Sequence, residues 1–146
     1  MATNVAAIDN QTGKGASRAL GIALWVAQVL LALGFGMGAF MKLTTPLDAL
    51  AHKMAWVGAV PGVLVRFIGA SELAGALGLL LPSLTRIRPR LTPLAAAGLL
   101  TIMVLAIPFH IVRGEAPVIK INIILGALAA FVAWGRTRRA PIPARH

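Results

Sequence analysis

The chain has 146 residues, of which 58% are hydrophobic and only 12% are charged. A soluble domain has roughly 25% charged residues, and a domain of this size has too small a core to hide so much apolar surface. Because Cys is absent, disulfides, thiolate metal sites and CxxC redox chemistry are excluded within this chain. The net charge of +10 lies between apolar runs, which indicates an integral membrane protein and argues against a nucleic-acid partner.

Four apolar segments approach the roughly 20 residues that a helix needs to cross a bilayer. They cover residues 20–41, 62–82, 93–112 and 116–134. Pro82 and Pro93 are expected at helix boundaries, where proline is best tolerated. The first segment is longer than the apolar core of a signal peptide, so we expect it to be retained as a span. The predicted fold is an all-α, four-helix transmembrane bundle in contact with the lipid bilayer.

The Lys and Arg residues predict an orientation. Nine of them fall on one side of the predicted spans and five on the other. The larger set is Lys14, Arg18, Arg86, Arg88, Arg90, Arg136, Arg138, Arg139 and Arg145, and the smaller is Lys42, Lys53, Arg66, Arg113 and Lys120. Basic residues accumulate on the cytoplasmic side, so we expect a multi-pass protein with both termini cytoplasmic. The richness in Ala, Gly and Arg favours a bacterial source, and therefore the bacterial cytoplasmic membrane.

The chain divides into three parts by composition. These are a polar cytoplasmic N-terminal segment (1–19), the membrane domain (20–136) and a basic cytoplasmic tail (137–146). Between the first two spans, apolar residues recur at helical spacing at Leu47, Leu50, Met54 and Val57. This pattern predicts a short amphipathic helix on the outer membrane surface, with Trp56 at the interface.

Glu72 is the most informative residue because it lies near the middle of the second span. An ionisable group at that depth costs roughly 2.5–3.5 kcal/mol on insertion scales. It serves either as a structural carboxylate in an ion pair or as a proton or ligand group, and both readings stay open. Arg66 is about 120° away around the same helix and should not pair with it. We expect the partner from another span, with Lys42 and His110 as candidates.

Other polar residues fall in the same half of the predicted bundle. Taken singly, most are typical interface anchors. The set comprises Lys42, Arg66, Glu72, His110 and Asn122, with Arg113 and Glu115 as secondary candidates. Together they predict a polar pocket in the outer half of the bundle. No metal site is expected, and haem is not expected because the intramembrane set has a single His.

Three stretches resemble the DoxX-like family of small membrane proteins. Residues 38–43 (GAFMKL) are similar to the GxxxKL element that closes its first helix. Residues 66–82 (RFIGASELAGALGLLLP) resemble its RxIGxxExxGALGLxLP core. Residues 93–99 (PLAAAGL), then His110, Arg113-Gly114-Glu115 and Asn122, resemble the remainder. The resemblance covers about residues 20–136.

This resemblance implies a four-helix bundle, in a family whose members mostly have no assigned reaction. The family name comes from similarity to a subunit of an archaeal thiosulfate:quinone oxidoreductase, and some relatives are membrane partners of soluble redox enzymes. By resemblance, Lys42, Arg66, Glu72, His110 and Asn122 are the matching pocket positions, and none is an established catalytic residue. Because this chain has no Cys, thiosulfate chemistry would need a partner subunit or a route without a thiol.

The sequence leaves three functions open. The favoured one is an accessory or quinone-linked subunit of a membrane redox system, with a soluble redox enzyme or a second copy as partner and quinone as the possible cofactor. The second is a non-enzymatic scaffold that docks soluble partners on its arginine-rich loop and tail. The third is a small lipid-binding, solute-binding or transport bundle, for which no inverted repeat is visible. Whether the chain catalyses a reaction alone is left open.

Overall fold

A computed structural model describes residues 2–145, with side chains from residue 17 onward. Five α-helices form the described chain: α1 (Ala2–Thr44), α2 (Leu47–Lys53), α3 (Gly62–Thr85), α4 (Leu91–Val112) and α5 (Ala116–Trp134). A 3₁₀ turn (Ala55–Ala59) follows α2, and a π-helical turn (Gly135–Arg139) continues α5. The all-α prediction is confirmed.

Four helices are long and apolar enough to cross a membrane, namely residues Ser17–Thr44 of α1, then α3, α4, and α5 with its π-helical turn. Their outward faces expose large apolar side chains such as Leu33, Phe67 and Leu105. In water such exposure would be costly, whereas acyl chains solvate it. The prediction of a multi-pass membrane bundle is confirmed.

The four long helices form a closed ring in which α1 packs on α3, α3 on α4, α4 on α5, and α5 on α1. A stripe of α1 faces the core, with Leu24, Leu31 and Phe35 almost completely buried. Gln28 and Lys42 lie on the same stripe, at helical spacing from these apolar residues. The position of each polar group is therefore set by the same periodicity that builds the core.

Small residues on α3 allow its neighbours to approach closely. A methyl group at Gly75 would lie 2.5 Å from the Leu99 side chain of α4, and one at Gly78 would lie 2.7 Å from Ala95. On the α1 side, a methyl group at Gly69 would lie 2.9 Å from Lys42 Cβ. Helices in lipid associate through such contacts because apolar burial gives little driving force there.

The connection between α1 and α3 differs in part from its prediction. The chain is helical where the amphipathic helix is expected, but α2 ends at Lys53 and the 3₁₀ turn takes over after Met54. Leu50 and Val57 are buried with Val65 of α3, so the apolar stripe packs against the end of the bundle. The location of this segment on the outer membrane surface stays a prediction.

The expectation that Pro82 ends a helix is wrong, because α3 continues through it to Thr85. Since Pro82 lies in the last turn, its missing N–H disturbs only the end of the helix. Arg86 then ends α3 in the left-handed conformation, with φ of 59°. Pro93 lies in the first turn of α4, as expected.

The basic Lys14 of the predicted N-terminal segment lies outside the described side chains.

Candidate functional site

A buried ion pair joins α1 to α3. Lys42 Nζ lies 2.7 Å from Glu72 Oε2, and the two residues are only 7% and 5% exposed. Gly38, one turn before Lys42, leaves the room for this contact, because a methyl group there would lie 3.3 Å from Lys42 Nζ. The structure thus selects Lys42 from the two expected partners of Glu72, and Arg66 does not pair with it.

Arg66 has a different role at this end of the bundle. Its guanidinium donates to the backbone carbonyls of Lys42 and Thr45, the latter at 2.9 Å. These carbonyls lie at the C-terminal end of α1, where the last turn of a helix has acceptors without intrahelical donors. Arg66 therefore caps α1 from the neighbouring helix and fixes the backbone that carries Lys42.

A second pair forms where α4 turns into α5. Gly114, with φ of 69°, reverses the chain so that Glu115 returns to the end of α4. Glu115 Oε2 lies 2.6 Å from His110 Nδ1, and Arg113 donates to Glu115 Oε1 at 3.0 Å. These hydrogen bonds, from Arg113 first and His110 second, hold the pKa of the Glu115 carboxyl below its ordinary value of 4.5.

Trp56 connects the two pairs. Its ring lies 6.0 Å from Lys42 Nζ and meets the His110 ring edge-on, with centroids 6.4 Å apart. Phe109 also packs edge-on against the His110 ring, with the two ring centroids 5.3 Å apart. We name Lys42, Glu72, Trp56, His110 and Glu115 the ion-pair cluster. The loop between α1 and α3 therefore covers the polar groups and contributes to their surroundings.

Two buried side chains at this end of the bundle, Lys42 and Asn122, carry N–H groups that no hydrogen bond among the described residues uses. The Lys42 ammonium has three N–H groups, of which Glu72 receives one. Asn122, near the start of α5, is 6% exposed, and its Nδ2 has no hydrogen-bond partner among the described residues. The polar side chains at this end contact one another, and a groove between α3 and α4 is lined by other residues. A polar pocket at this end therefore stays a prediction. No three His, Asp or Glu side chains between residues 17 and 145 gather as metal ligands.

A second polar network lies at the opposite end of the bundle, and the sequence analysis missed it. Gln28 Nε2 donates to the Leu79 carbonyl at 2.8 Å and to Ser83 Oγ at 3.0 Å. Ser83 in turn shares a 2.8 Å hydrogen bond with Thr92 of α4. Arg136 Nε donates to Gln28 Oε1 at 2.6 Å. We name Gln28, Ser83, Thr92 and Arg136 the Gln28 network, and it joins all four spans.

Arg136 is one of the nine basic residues that predict the orientation, and the structure shows that it is buried. It is 6% exposed, and its guanidinium lies 5.4 Å from the Trp25 ring. Gly135 makes this placement possible, because a methyl group there would lie 2.4 Å from Leu24. Arg136 Nη1 donates to the Ala140 carbonyl at 3.2 Å, while its Nη2 is buried without a partner among the described residues.

One sequence signal could have revealed part of this network. Gln28 lies four residues after Leu24 and three before Leu31, on the apolar stripe of an otherwise uncharged span. A polar residue on such a stripe must find a partner in the interior. The partner Arg136 carries no comparable signal, because it stands among exposed arginines at the end of the last span.

A shallow groove of about 340 Å³ lies between α3 and α4, away from the interior face of Glu72. It is lined by small or apolar residues, including Ala74, Gly78 and Gly98, with Ser71 at one end. The groove opens outward between two candidate spans. It does not coincide with the ion-pair cluster.

The family model described as "DoxX-like family" matches residues 26–132. The matched range contains the ion-pair cluster and Asn122, together with Gln28, Ser83 and Thr92, while Arg136 lies just beyond it. No curated protein and no solved structure matches the chain.

Proposed function

The chain belongs to the DoxX-like family, and from this premise we propose that it is a quinone-binding accessory subunit of a membrane redox system. The observation that carries the proposal is the unused N–H groups of the buried Lys42 and Asn122, at the end of the bundle that holds the Lys42–Glu72 pair. A soluble redox enzyme is the proposed partner.

The unused N–H groups of Lys42 and Asn122 indicate which kind of ligand would fit at this end of the bundle. Lys42 has two N–H groups beyond the one that Glu72 receives, and Asn122 Nδ2 has none of its hydrogens accepted. Buried donors without acceptors are costly, so a ligand with oxygen acceptors is favoured here. A quinone has two carbonyl acceptors and a flat ring, and Trp56 supplies an aromatic neighbour 6.0 Å from Lys42 Nζ.

The residues of the chain can also supply protons. Reduction of a quinone to a quinol consumes two electrons and two protons. Glu72 and His110 are buried titratable groups, and Trp56 lies near both Lys42, the partner of Glu72, and His110. Glu115 links His110 to the partly exposed end of α4. In this proposal the chain binds the quinone and passes protons to its oxygens, while the electrons come from the partner redox enzyme.

The proposal is tested by titrating the purified chain in detergent with ubiquinone-1 and following tryptophan fluorescence. A bound quinone quenches a nearby indole, so we expect saturable quenching. Lys42→Met removes the spare donors and should weaken binding by about ten-fold or more, equivalent to about 1.4 kcal/mol. The matched control is Asp48→Asn, which changes an exposed charge on α2 at the same end. Its affinity should equal that of the wild-type chain.

A double variant separates binding from folding. Lys42→Met leaves Glu72 buried without its cation and risks unfolding the bundle. Lys42→Met with Glu72→Gln removes both charges, so it should fold and still fail to bind ubiquinone-1. Wild-type affinity in the folded double variant would contradict the quinone proposal.

The scaffold function is a second candidate because the tail folds onto the arginine loop. The Arg145 backbone N–H donates to the Arg86 carbonyl at 3.0 Å. Both segments carry exposed arginines, namely Arg86, Arg88 and Arg90 in the loop and Arg138, Arg139 and Arg145 near the C-terminal end. A truncation after residue 140 keeps the Ala140 carbonyl that accepts from Arg136 and removes residues 141–146, including Arg145. Loss of a co-purifying acidic protein from this truncation supports the scaffold, and its full retention counts against a tail-dependent one.

A further inference from the structure

Arg136 is a buried cation with no ion-pair partner among the side chains of residues 17–145. The sequence has four acidic residues. Glu72 is paired with Lys42, and Asp48 and Glu115 lie at the opposite end of the bundle. Asp9 precedes Gln28 on α1 by about five helical turns, or about 28 Å along the axis. The Arg136 guanidinium is thus held by neutral groups, and a buried charge of this kind requires a counter-charge.

The protein fixes this guanidinium at two of its three nitrogens. Gln28 accepts from Nε and the Ala140 carbonyl accepts from Nη1, while the Trp25 ring lies 5.4 Å from Cζ. The remaining nitrogen, Nη2, is buried and has no partner between residues 17 and 145. The hydrogen bonds at Nε and Nη1 fix the plane of the guanidinium and so orient the two N–H groups of Nη2, which have no acceptor. Fixed donors without an acceptor are the arrangement of a preorganised anion site.

The site lies at the edge of the bundle. Arg138 and Arg139 in the same π-helical turn are exposed, and Ala140 is half-buried. Arg136 lies among the last four residues of the candidate span Ala116–Arg139, and the end of a membrane span is where phospholipid headgroups are expected. Basic pockets between transmembrane helices bind lipid phosphate at this level.

We propose that Arg136 binds a phosphate group through Nη2, beside Trp25, at the end of the bundle that holds the Gln28 network. The phosphate oxygen supplies both the missing acceptor and the missing negative charge. An anionic phospholipid or a soluble phosphate carries this chemistry. The site shares no residue with the quinone proposal and stands independently of it.

The test is native mass spectrometry of the full chain in detergent, titrated with phosphatidylglycerol or with phosphatidylcholine. We expect phosphatidylglycerol to bind about ten-fold more tightly, and Arg136→Gln to lose this preference. Arg145→Gln is the matched control, since it removes the same charge from an exposed position of the tail. Its preference should stay within about two-fold of the wild-type value, equivalent to about 0.4 kcal/mol.

Two further arms make every outcome decisive. Competition by millimolar inorganic phosphate identifies a soluble phosphate as the ligand, and its failure to compete identifies the lipid headgroup; both support the site. If Arg136→Gln does not fold, Arg136→Lys is measured in its place. Lysine keeps the positive charge but lacks the planar guanidinium and its fixed N–H donors, so several-fold weaker binding is expected. The proposal is overturned if Arg136→Gln and Arg145→Gln lose the preference for phosphatidylglycerol equally. It is also overturned if Arg136→Lys binds with wild-type affinity, or if neither phosphatidylglycerol nor inorganic phosphate binds.

Discussion

The two ends of the bundle treat buried charge in opposite ways. In the ion-pair cluster, Lys42 and Glu72 neutralise each other across 2.7 Å, and His110 meets Glu115 at 2.6 Å. In the Gln28 network, Arg136 is held by an amide oxygen and a backbone carbonyl, with no carboxylate partner between residues 17 and 145. The buried cation of the first cluster thus has a carboxylate partner within the chain, while the buried cation of the second is held by neutral groups.

This difference indicates what each end can exchange with its surroundings. A neutral pair with spare donors accommodates a neutral ligand with oxygen acceptors, because such a ligand adds hydrogen bonds without changing the charge. A buried cation held by neutral groups favours an anion. The same four helices therefore present two chemically distinct ends, and each can be disturbed separately.

The largest effect is expected from breaking the ion pair. Glu72→Gln leaves the Lys42 ammonium buried without its carboxylate, so the free energy of unfolding should fall by about 3–5 kcal/mol. The measurement is reversible unfolding in mixed SDS and non-ionic micelles, followed by circular dichroism. Asp48→Asn should stay within about 0.5 kcal/mol of wild type. Equal stability of the two variants would show that the pair does not hold this end together.

Breaking the neutral network should cost less. Gln28→Leu removes the acceptor of Arg136 Nε and the donor to Ser83, leaving buried polar groups unpaired. The free energy of unfolding should drop by about 2–3 kcal/mol in the same assay. Thr101→Val is a suitable control, because Thr101 is exposed and bonds only to its own helix at Ala97. A loss no larger than that of the control contradicts the network as a tie between spans.

Close packing beside the ion pair can be tested without changing a charge. Gly69→Ala places a methyl group 2.9 Å from Lys42 Cβ and 3.4 Å from the Ala39 carbonyl. The helices must separate, and we expect a loss of about 1–2 kcal/mol in the free energy of unfolding. Gly34→Ala has no neighbour within 4 Å and should be neutral or slightly stabilising. If the two variants have the same free energy of unfolding, the close contact of α1 with α3 at Gly69 is contradicted.

The smallest effect concerns acid. Because hydrogen bonds lower the pKa of Glu115 in the folded state, its contribution to stability is present above pH 4.5 and is lost as the pH falls through the lowered value. The melting temperature of the wild-type chain should therefore decrease more between pH 6 and pH 3 than that of Glu115→Gln. Parallel curves for the two proteins would mean that this carboxylate is not stabilised in the fold.

The sequence predicted the spans well because length and hydropathy determine what a bilayer accepts. It also indicated Glu72 and two candidate partners, Lys42 and His110, since a charge in a span must be paired, and the structure selects Lys42. The contacts of Arg66 and Arg136 could not be predicted in this way. Arg66 binds backbone carbonyls, and Arg136 is buried by a π-helical turn against Leu24; both depend on tertiary geometry that leaves no periodic trace.

The central claim, that the ion-pair cluster is the quinone-binding end, is tested most directly by photo-crosslinking. The full chain is labelled with a photoreactive ubiquinone analogue, and the modified peptides are mapped by mass spectrometry with and without excess ubiquinone-1. We predict competed labels within residues 38–45, 54–60 and 106–122, which surround the cluster. Labels confined to the groove between α3 and α4, or labels that excess ubiquinone-1 does not displace, would contradict the claim.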